Sequence, residues 1–400
     1  MKKQFCLSMA TLGFCLSLYA QNTDAGYFVI HKSVFTVDSH TDTPLRLMEG
    51  ALDFGTDNPG AGNCVDLPKM VKGSLDGVFF AVFLGQGART PEKHEQAYLM
   101  ANRIIDTVEQ VVKRNESRCG IVDSPFQAYE LKKKGRKAIF MGIENGYALG
   151  HNIDAVGHFY KRGIRYVTLC HTRNNDLCDS ANDTIGFGGL SDYGKKVVKE
   201  MNRVGMMLDV SHISDSSFYQ VIRLSAAPVI ASHSCSRTIC DNKRNLTDDM
   251  LLKLKKNRGV IQLCILSDYI KDIPQDPRRD SAFKALRVKY NGFSGLSDEE
   301  TQKARRAWHD LQQQYPARLA TVTDAVDHID HIVKLIGIDY VGIGTDFDGG
   351  GGLADCRDAS QLPAITQELV NRGYTKQDIE KIWGGNLFRV MNEVAGLAAH

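Results

Sequence analysis

The chain has 400 residues, 43% of them hydrophobic and 24% charged, with 36 glycines and only 10 prolines. That composition excludes collagen-like, coiled-coil and broadly disordered chains. The formal charge is only +2 and no long Lys/Arg block interrupts the balance, so nothing points to a nucleic-acid partner.

At the N-terminus, Lys2 and Lys3 precede an apolar run from Phe5 to Ala20, followed by Gln21-Asn22-Thr23-Asp24. A basic start, a short hydrophobic stretch and a small residue at its end read as a secretory signal peptide over residues 1–20. Residues 21–400 are then expected in the periplasm or secreted, as a single domain. Bulky Phe14 before Cys15 argues against acylation there. The run is too short for a spanning helix, and no later stretch reaches spanning length, so no transmembrane segment is expected. Loss of Lys2 and Lys3 takes the formal charge to zero. Eight cysteines remain, of which Cys235 and Cys240 are close enough to be candidates for pairing in an oxidising compartment. No Cys-x-x-Cys occurs, which argues against a thiolate-type structural zinc site.

Eight short apolar runs follow: Val34–Asp38, Val78–Phe83, Ala138–Glu144, Ile164–Leu169, Met206–Val210, Val229–Ser232, Val260–Leu263 and Val341–Thr345. They seldom alternate, as suits parallel strands buried on both faces. Helical patterns lie between them. Ser191 can cap a helix bearing Tyr193, Val197, Met201 and Val204, and Ser214 one bearing Phe218, Val221 and Ile222. Val326, Ile329, Ile332, Val333 and Ile336 form a stripe into Gly337, and Thr375 with Asp378 makes a capping box. The sequence therefore predicts an α/β fold, a (β/α)₈ TIM-type barrel, with a doubly wound open sheet as the rival. Residues 270–320, rich in charge, read as a segment inserted before the last strand.

Chemistry in such a barrel belongs at the C-terminal strand ends. There the sequence places His40 and Asp42, then Glu144, His171, His212, His233 and Asp346. A single strand-end histidine is more often a hydrogen-bonded structural residue than a ligand. Four of them at equivalent positions, with Glu144 closing an apolar strand where a lone carboxylate is costly to desolvate, point to metal. Three histidines and two carboxylates of this kind suit two zinc-like ions sharing one carboxylate and a hydroxide that is nucleophilic near neutral pH. Asp346 could position that hydroxide and carry its proton. Rival motifs are incomplete: His94-Glu95-Gln96-Ala97-Tyr98 lacks the second histidine of a zinc-protease helix, and neither a Gly-x-Ser-x-Gly elbow nor a Walker A loop occurs. Gly349–Gly352 suits a loop turning over the site better than one holding phosphate.

The segments Val37-Asp38-Ser39-His40-Thr41-Asp42, Gly142-Ile143-Glu144, Thr168-Leu169-Cys170-His171, Leu208-Asp209-Val210-Ser211-His212, Ala231-Ser232-His233-Ser234, Arg244-Asn245-Leu246-Thr247 and Gly344-Thr345-Asp346-Phe347-Asp348-Gly349, in this order, resemble the membrane (renal) dipeptidase family of the metal-dependent amidohydrolases. The resemblance runs from about Phe35 to Leu397. It implies His40 and Asp42 on one zinc, His212 and His233 on the other, and Glu144 as the bridge, giving two zinc ions per chain. It implies Asp346 as the acid/base, His171 as the group that polarises the scissile carbonyl, and Arg244 with Tyr269 at the carboxylate of a dipeptide substrate. A homodimer is implied as well, and tolerance of a D-residue at the substrate's C-terminus. The sequence departs at Glu144-Asn145-Gly146-Tyr147, where many relatives carry Gly-Gly or Gly-Ala, and over 270–320. The alternative activity is cleavage of another amide or lactam, such as a β-lactam or an N-acyl amino acid, on the same barrel.

Overall fold

The computed structural model describes residues 26–50, 52–58, 62–274, 276–290 and 298–398. Among them nine parallel strands form one sheet: β1 (Val37–Thr41), β2 (Gly77–Phe83), β3 (Cys119–Ile121), β4 (Lys137–Glu144), β5 (Ile164–Thr168), β6 (Met207–Asp209), β7 (Ile230–Ser234), β8 (Val260–Leu263) and β9 (Val341–Ile343). Eight follow one another in the order β1-β2-β4-β5-β6-β7-β8-β9, while β3 pairs only with β4, off that path. The circle closes just beyond β9, where Asp346 N donates to the His40 carbonyl (3.0 Å) and Asp42 N to the Phe347 carbonyl (2.8 Å). The fold is the expected (β/α)₈ barrel, and the open sheet is excluded by that seam. The proposed leader, residues 1–20, lies outside the described residues.

Each predicted run overlaps an observed strand. β1 starts three residues late, because the chain first pairs with its neighbour at Val37 opposite Gly77. β3 was not predicted; three residues with a central glycine give no periodic signal.

Alternation along the strands fills the barrel in layers. Phe79, Phe140, Met207, Ile230 and Val260 form an apolar floor with Phe388 and Val394 of the helix Asn386–Gly396. Phe79 and Phe140 stack with centroids 4.6 Å apart. Two residues further along each strand the layer turns small or polar: Gly142 follows Phe140, Asp209 follows Met207, Ser232 follows Ile230 and Gln262 follows Val260. All four are buried. Another two residues along β4 stands Glu144. The site therefore rests on a polar shelf, itself carried on hydrocarbon.

Around the barrel the helices form where their caps and stripes predicted. Ser191 accepts from Gly194 N at the start of Asp192–Val204, and Ser214 from Ser217 N at the start of Asp215–Leu224. Thr375 and Asp378 complete their capping box. The 270–320 segment contains helices Pro277–Lys289 and Asp298–Gln314, which pack together through Phe283 and Trp308. Between this segment and the barrel mouth lies a cavity of about 900 Å³, lined by Asn242, Asp268, Arg279, Arg318 and Gly350 among others. The suggested Cys235–Cys240 pairing does not form: all eight described cysteines are thiols. Cys235 Sγ instead donates to the Cys264 carbonyl, and Cys240 Sγ to that of Asp268.

Packing below the site is tight at Gly142, where a Cβ would lie 2.2 Å from the Tyr166 ring. Gly142→Ala should cost about 1–3 kcal/mol of stability, the range for overfilling a packed core. Gly396→Ala, where a Cβ meets nothing within 4 Å, should cost none. Urea midpoints of the two variants check this.

Candidate metal centre

Glu144 ends β4 with 2% exposure, and its two oxygens face different partners. Oε2 lies 3.3 Å from His40 Nε2, while Oε1 lies 3.1 Å from His212 Nε2 and 3.6 Å from His233 Nε2. Asp42 Oδ2 is 3.8 Å from His40 Nε2. The donors thus fall into two groups sharing one carboxylate: His40, Asp42 and Glu144; and Glu144, His212 and His233.

The rings are aimed by neighbours beneath them. Tyr166 Oη donates to the Ser39 carbonyl (3.2 Å) and so accepts from His40 Nδ1 at 2.8 Å. Ser232 Oγ donates to Asp209 (2.6 Å) and so accepts from His233 Nδ1 at 2.8 Å. Both rings are thereby aimed with Nε2 toward Glu144, the orientation that prepares a histidine for a cation. Asp209 also accepts from Thr168 Oγ1 and from the Ser211 and Ser232 amides. Asp38 does the corresponding work across the seam, accepting from His40 N, Thr345 N and Thr345 Oγ1. Among the described residues six non-glycine residues have positive φ, and four of them (Asn145, His212, Asp346, Asp348) lie in the loops of this site. Backbone strain is concentrated where the donors converge.

Electrostatics show what the pocket lacks. Burial works against every charge here. At His40, burial is outweighed by Glu144, Asp42 and Asp346, which raise it to about 10. Burial, then neighbouring cations, hold His212 and His233 well below the usual imidazole value. Burial and Glu144 push Asp42 well up, whereas Glu144, although buried, is held well down by His40 and His212. Three buried acids (Asp42, Glu144, Asp346) thus crowd around His40, which they hold cationic, with one buried guanidinium nearby. His40 Nε2, Asp42 Oδ1 and His212 Nδ1 are buried without a hydrogen-bond partner. Orphaned nitrogen and oxygen donors crowded around a buried carboxylate fit divalent cations.

The other expected residues border this cluster. Asp346 follows β9 with φ 62° and approaches Asp42; burial, less the pull of His40, raises its carboxyl to about 7. A Cβ on Gly349 would lie 2.0 Å from Asp42 Oδ2 and 2.4 Å from Asp346 Oδ1, so only glycine lets the loop cover both acids. His171 Nε2 is 3.7 Å from Glu144 Oε1, its side chain is 22% exposed, and its ring rests on Phe83. Burial and Arg244 lower its pKa. Arg244 is buried, donates from Nη2 to the His233 carbonyl (3.1 Å), and lies with Cζ 5.2 Å from the Tyr269 ring centre. Its Nε has no partner.

All nine expected residues therefore meet in one pocket. Tyr166, Asp38, Asp209, Ser232 and Gly142 were given no role of their own, although the site stands on them, whereas Gly349 turns the loop over the site as expected. One signal was readable: an aspartate precedes a histidine by two or three residues in both Asp38-Ser39-His40 and Asp209-Val210-Ser211-His212.

Comparison with known proteins agrees with this geometry. The model of the membrane dipeptidase family (Peptidase family M19) matches residues 27–400. The dipeptidase ataJ of Aspergillus terreus is 30% identical over 390 residues, covering 90% of this chain and 85% of its own. The dipeptidase tcpJ of Claviceps purpurea is 28% identical over 373 residues, covering 90% and 77%. The crystal structure of the probable dipeptidase PvdM from Pseudomonas aeruginosa superposes with a TM-score of 0.81 at 30% identity, over 94% of this chain and all of that one. From this match along nearly its whole described length, the chain belongs to the membrane dipeptidase family of metallopeptidases, Peptidase family M19.

Proposed function

We propose that this protein is an exported dizinc dipeptidase that hydrolyses the peptide bond of dipeptides with a free C-terminal carboxylate. The observation that carries the proposal is Glu144, whose two oxygens address separate donor groups as a bridge between two cations requires. His40, Asp42 and Glu144 would hold one ion, and Glu144, His212 and His233 the other. When bound, two such ions bring a water molecule's pKa to about 7 and polarise an amide carbonyl. Export rests on Lys2, Lys3 and the apolar run Phe5–Ala20.

The chain's own residues supply the rest. Asp346, raised to about 7 before any cation is bound, stands beside Asp42 where it can take the proton released by the attacking water. It then delivers that proton to the amine nitrogen as the C–N bond breaks. His171, kept neutral by burial and by Arg244, can donate a ring N–H to the oxygen that gains charge as the carbonyl is attacked. Arg244 offers a buried guanidinium with an unpartnered Nε, held beside the Tyr269 ring. Such a fork suits the C-terminal carboxylate of a substrate one residue beyond the scissile bond.

Chelation should abolish hydrolysis and added zinc should restore it. Glu144→Gln should lose more than one equivalent of metal, because a neutral amide bridges two cations poorly; metal analysis alongside activity checks this. Asp346→Asn should retain both ions while kcat falls about 10²–10⁴-fold, the usual range for a positioned acid/base. If metal content falls with activity, Asp346 is a ligand, as its position beside His40 and His233 also permits. Arg244→Ala should reduce kcat/KM on free dipeptides about 10- to 150-fold and barely affect C-terminally amidated ones. Lysine should rescue partly, keeping the charge without the fork. Equal losses on both substrates would make Arg244 structural.

A further inference from the structure

A second convergence of metal-type donors lies away from Glu144, on the loops at the rim. His94 sits in the first turns of the helix Pro91–Arg114 and is 8% exposed. His151 follows the short 3₁₀ turn Gly146–Leu149, with its side chain 62% exposed. Asp176 lies in the loop after β5. His94 Nε2 is 2.8 Å from Asp176 Oδ2 and His151 Nε2 is 3.3 Å from Asp176 Oδ1. The three donor atoms all fall within 4.8 Å of one another.

A hydrogen-bonded clip between loops accounts for His94 and Asp176, which already pair. It does not account for His151. An exposed imidazole gains little from a surface ion pair and loses side-chain entropy by holding one orientation. Yet its Nε2 stands 3.3 Å from the second oxygen of the same carboxylate, with its ring 4.9 Å from that of Tyr193. The His151 separation, 3.3 Å, falls within the 3.1–3.8 Å between nitrogen and carboxylate oxygen around Glu144, whereas that of His94, 2.8 Å, is a hydrogen-bond distance.

The supporting frame is built as well. Ser191 Oγ donates to the Asp176 carbonyl at 2.5 Å. Gly150, at φ 51°, brings the His151 segment so close that a Cβ there would lie 2.9 Å from His94 Cβ. Tyr193 Oη, on the same side, is buried without a hydrogen-bond partner. Two imidazoles and a carboxylate, with one donor open to solvent, make the N₂O set that zinc-class ions take with water completing the shell.

We propose that His94, His151 and Asp176 form a further divalent transition-metal site at the rim of the barrel. A cation there joins the loops that follow β2, β4 and β5. The last two carry Asn145, next to Glu144, and His171, so an ion at the rim braces both against movement. Its binding is independent of what occupies the central cluster.

The test uses the full chain, loaded with zinc and dialysed, then titrated with zinc or cobalt while bound metal is counted and the cobalt visible spectrum recorded. One equivalent more than in His151→Ala or Asp176→Asn is expected, each variant weakening that equivalent at least about tenfold. His331→Ala, which removes a histidine paired with Asp248 elsewhere on the surface, should bind as the parent does. No additional equivalent up to about 0.1 mM free zinc, or one that survives both rim variants, would overturn the site and leave a hydrogen-bonded clip.

Discussion

Glu144 is a carboxylate with 2% exposure, ringed by His40, His171, His212 and His233. Burying an uncompensated charge of this kind costs several kcal/mol even after local relaxation. The fold nevertheless places it at the end of a strand whose other inward residues are Phe140 and Gly142. Everything around it answers that cost: rings turned so that Nε2 faces inward, a second acid at Asp42, and a third at Asp346. The acids hold His40 cationic and raise one another, and a donor set crowded in this way suits divalent cations.

Orientation is delegated downward, to residues that never reach the pocket. Tyr166 fixes His40, and Asp209 fixes His233 through Ser232. Tyr166 in turn needs the empty volume at Gly142. A glycine in the middle of a strand weakens that strand locally, but here the missing side chain is the space that a phenol ring occupies. Thus the geometry at the mouth depends on shape two layers below, and a small volume change there is transmitted to a metal donor without touching it.

Much of this was readable in the residues themselves. Eight apolar runs gave eight barrel strands, and polar residues following six of them gave the donors, because strand direction in a parallel barrel forces those ends together. Caps at Ser191, Ser214 and Thr375 stood where hydroxyl and carboxylate chemistry requires them. What could not be read was contact between residues far apart in sequence. Tyr166 to His40 is a hydrogen bond across the barrel and Asp38 to Thr345 one across its seam, and no local pattern announces them. His94 and His151 fell in helical and loop patterns, and their convergence on Asp176 depends on how three loops fold over the rim. Cys235 and Cys240 illustrate the reverse error: proximity in sequence suggested a bond, yet their sulfurs point to different carbonyls.

The seam between the first and last strands runs through the site. His40 comes from β1, Asp42 directly follows it, Asp346 lies in the loop after β9, and the same peptides that carry them exchange the closing hydrogen bonds. Some 300 residues separate the two sides, so their meeting is among the most non-local contacts in the chain, a class that forms slowly and late. During synthesis Glu144, His212 and His233 all emerge before Asp346 and the strand that closes the barrel. With Asp346 in its proposed role, competence for hydrolysis arrives only with completion of the barrel, and topology itself keeps the nascent chain silent until it is whole.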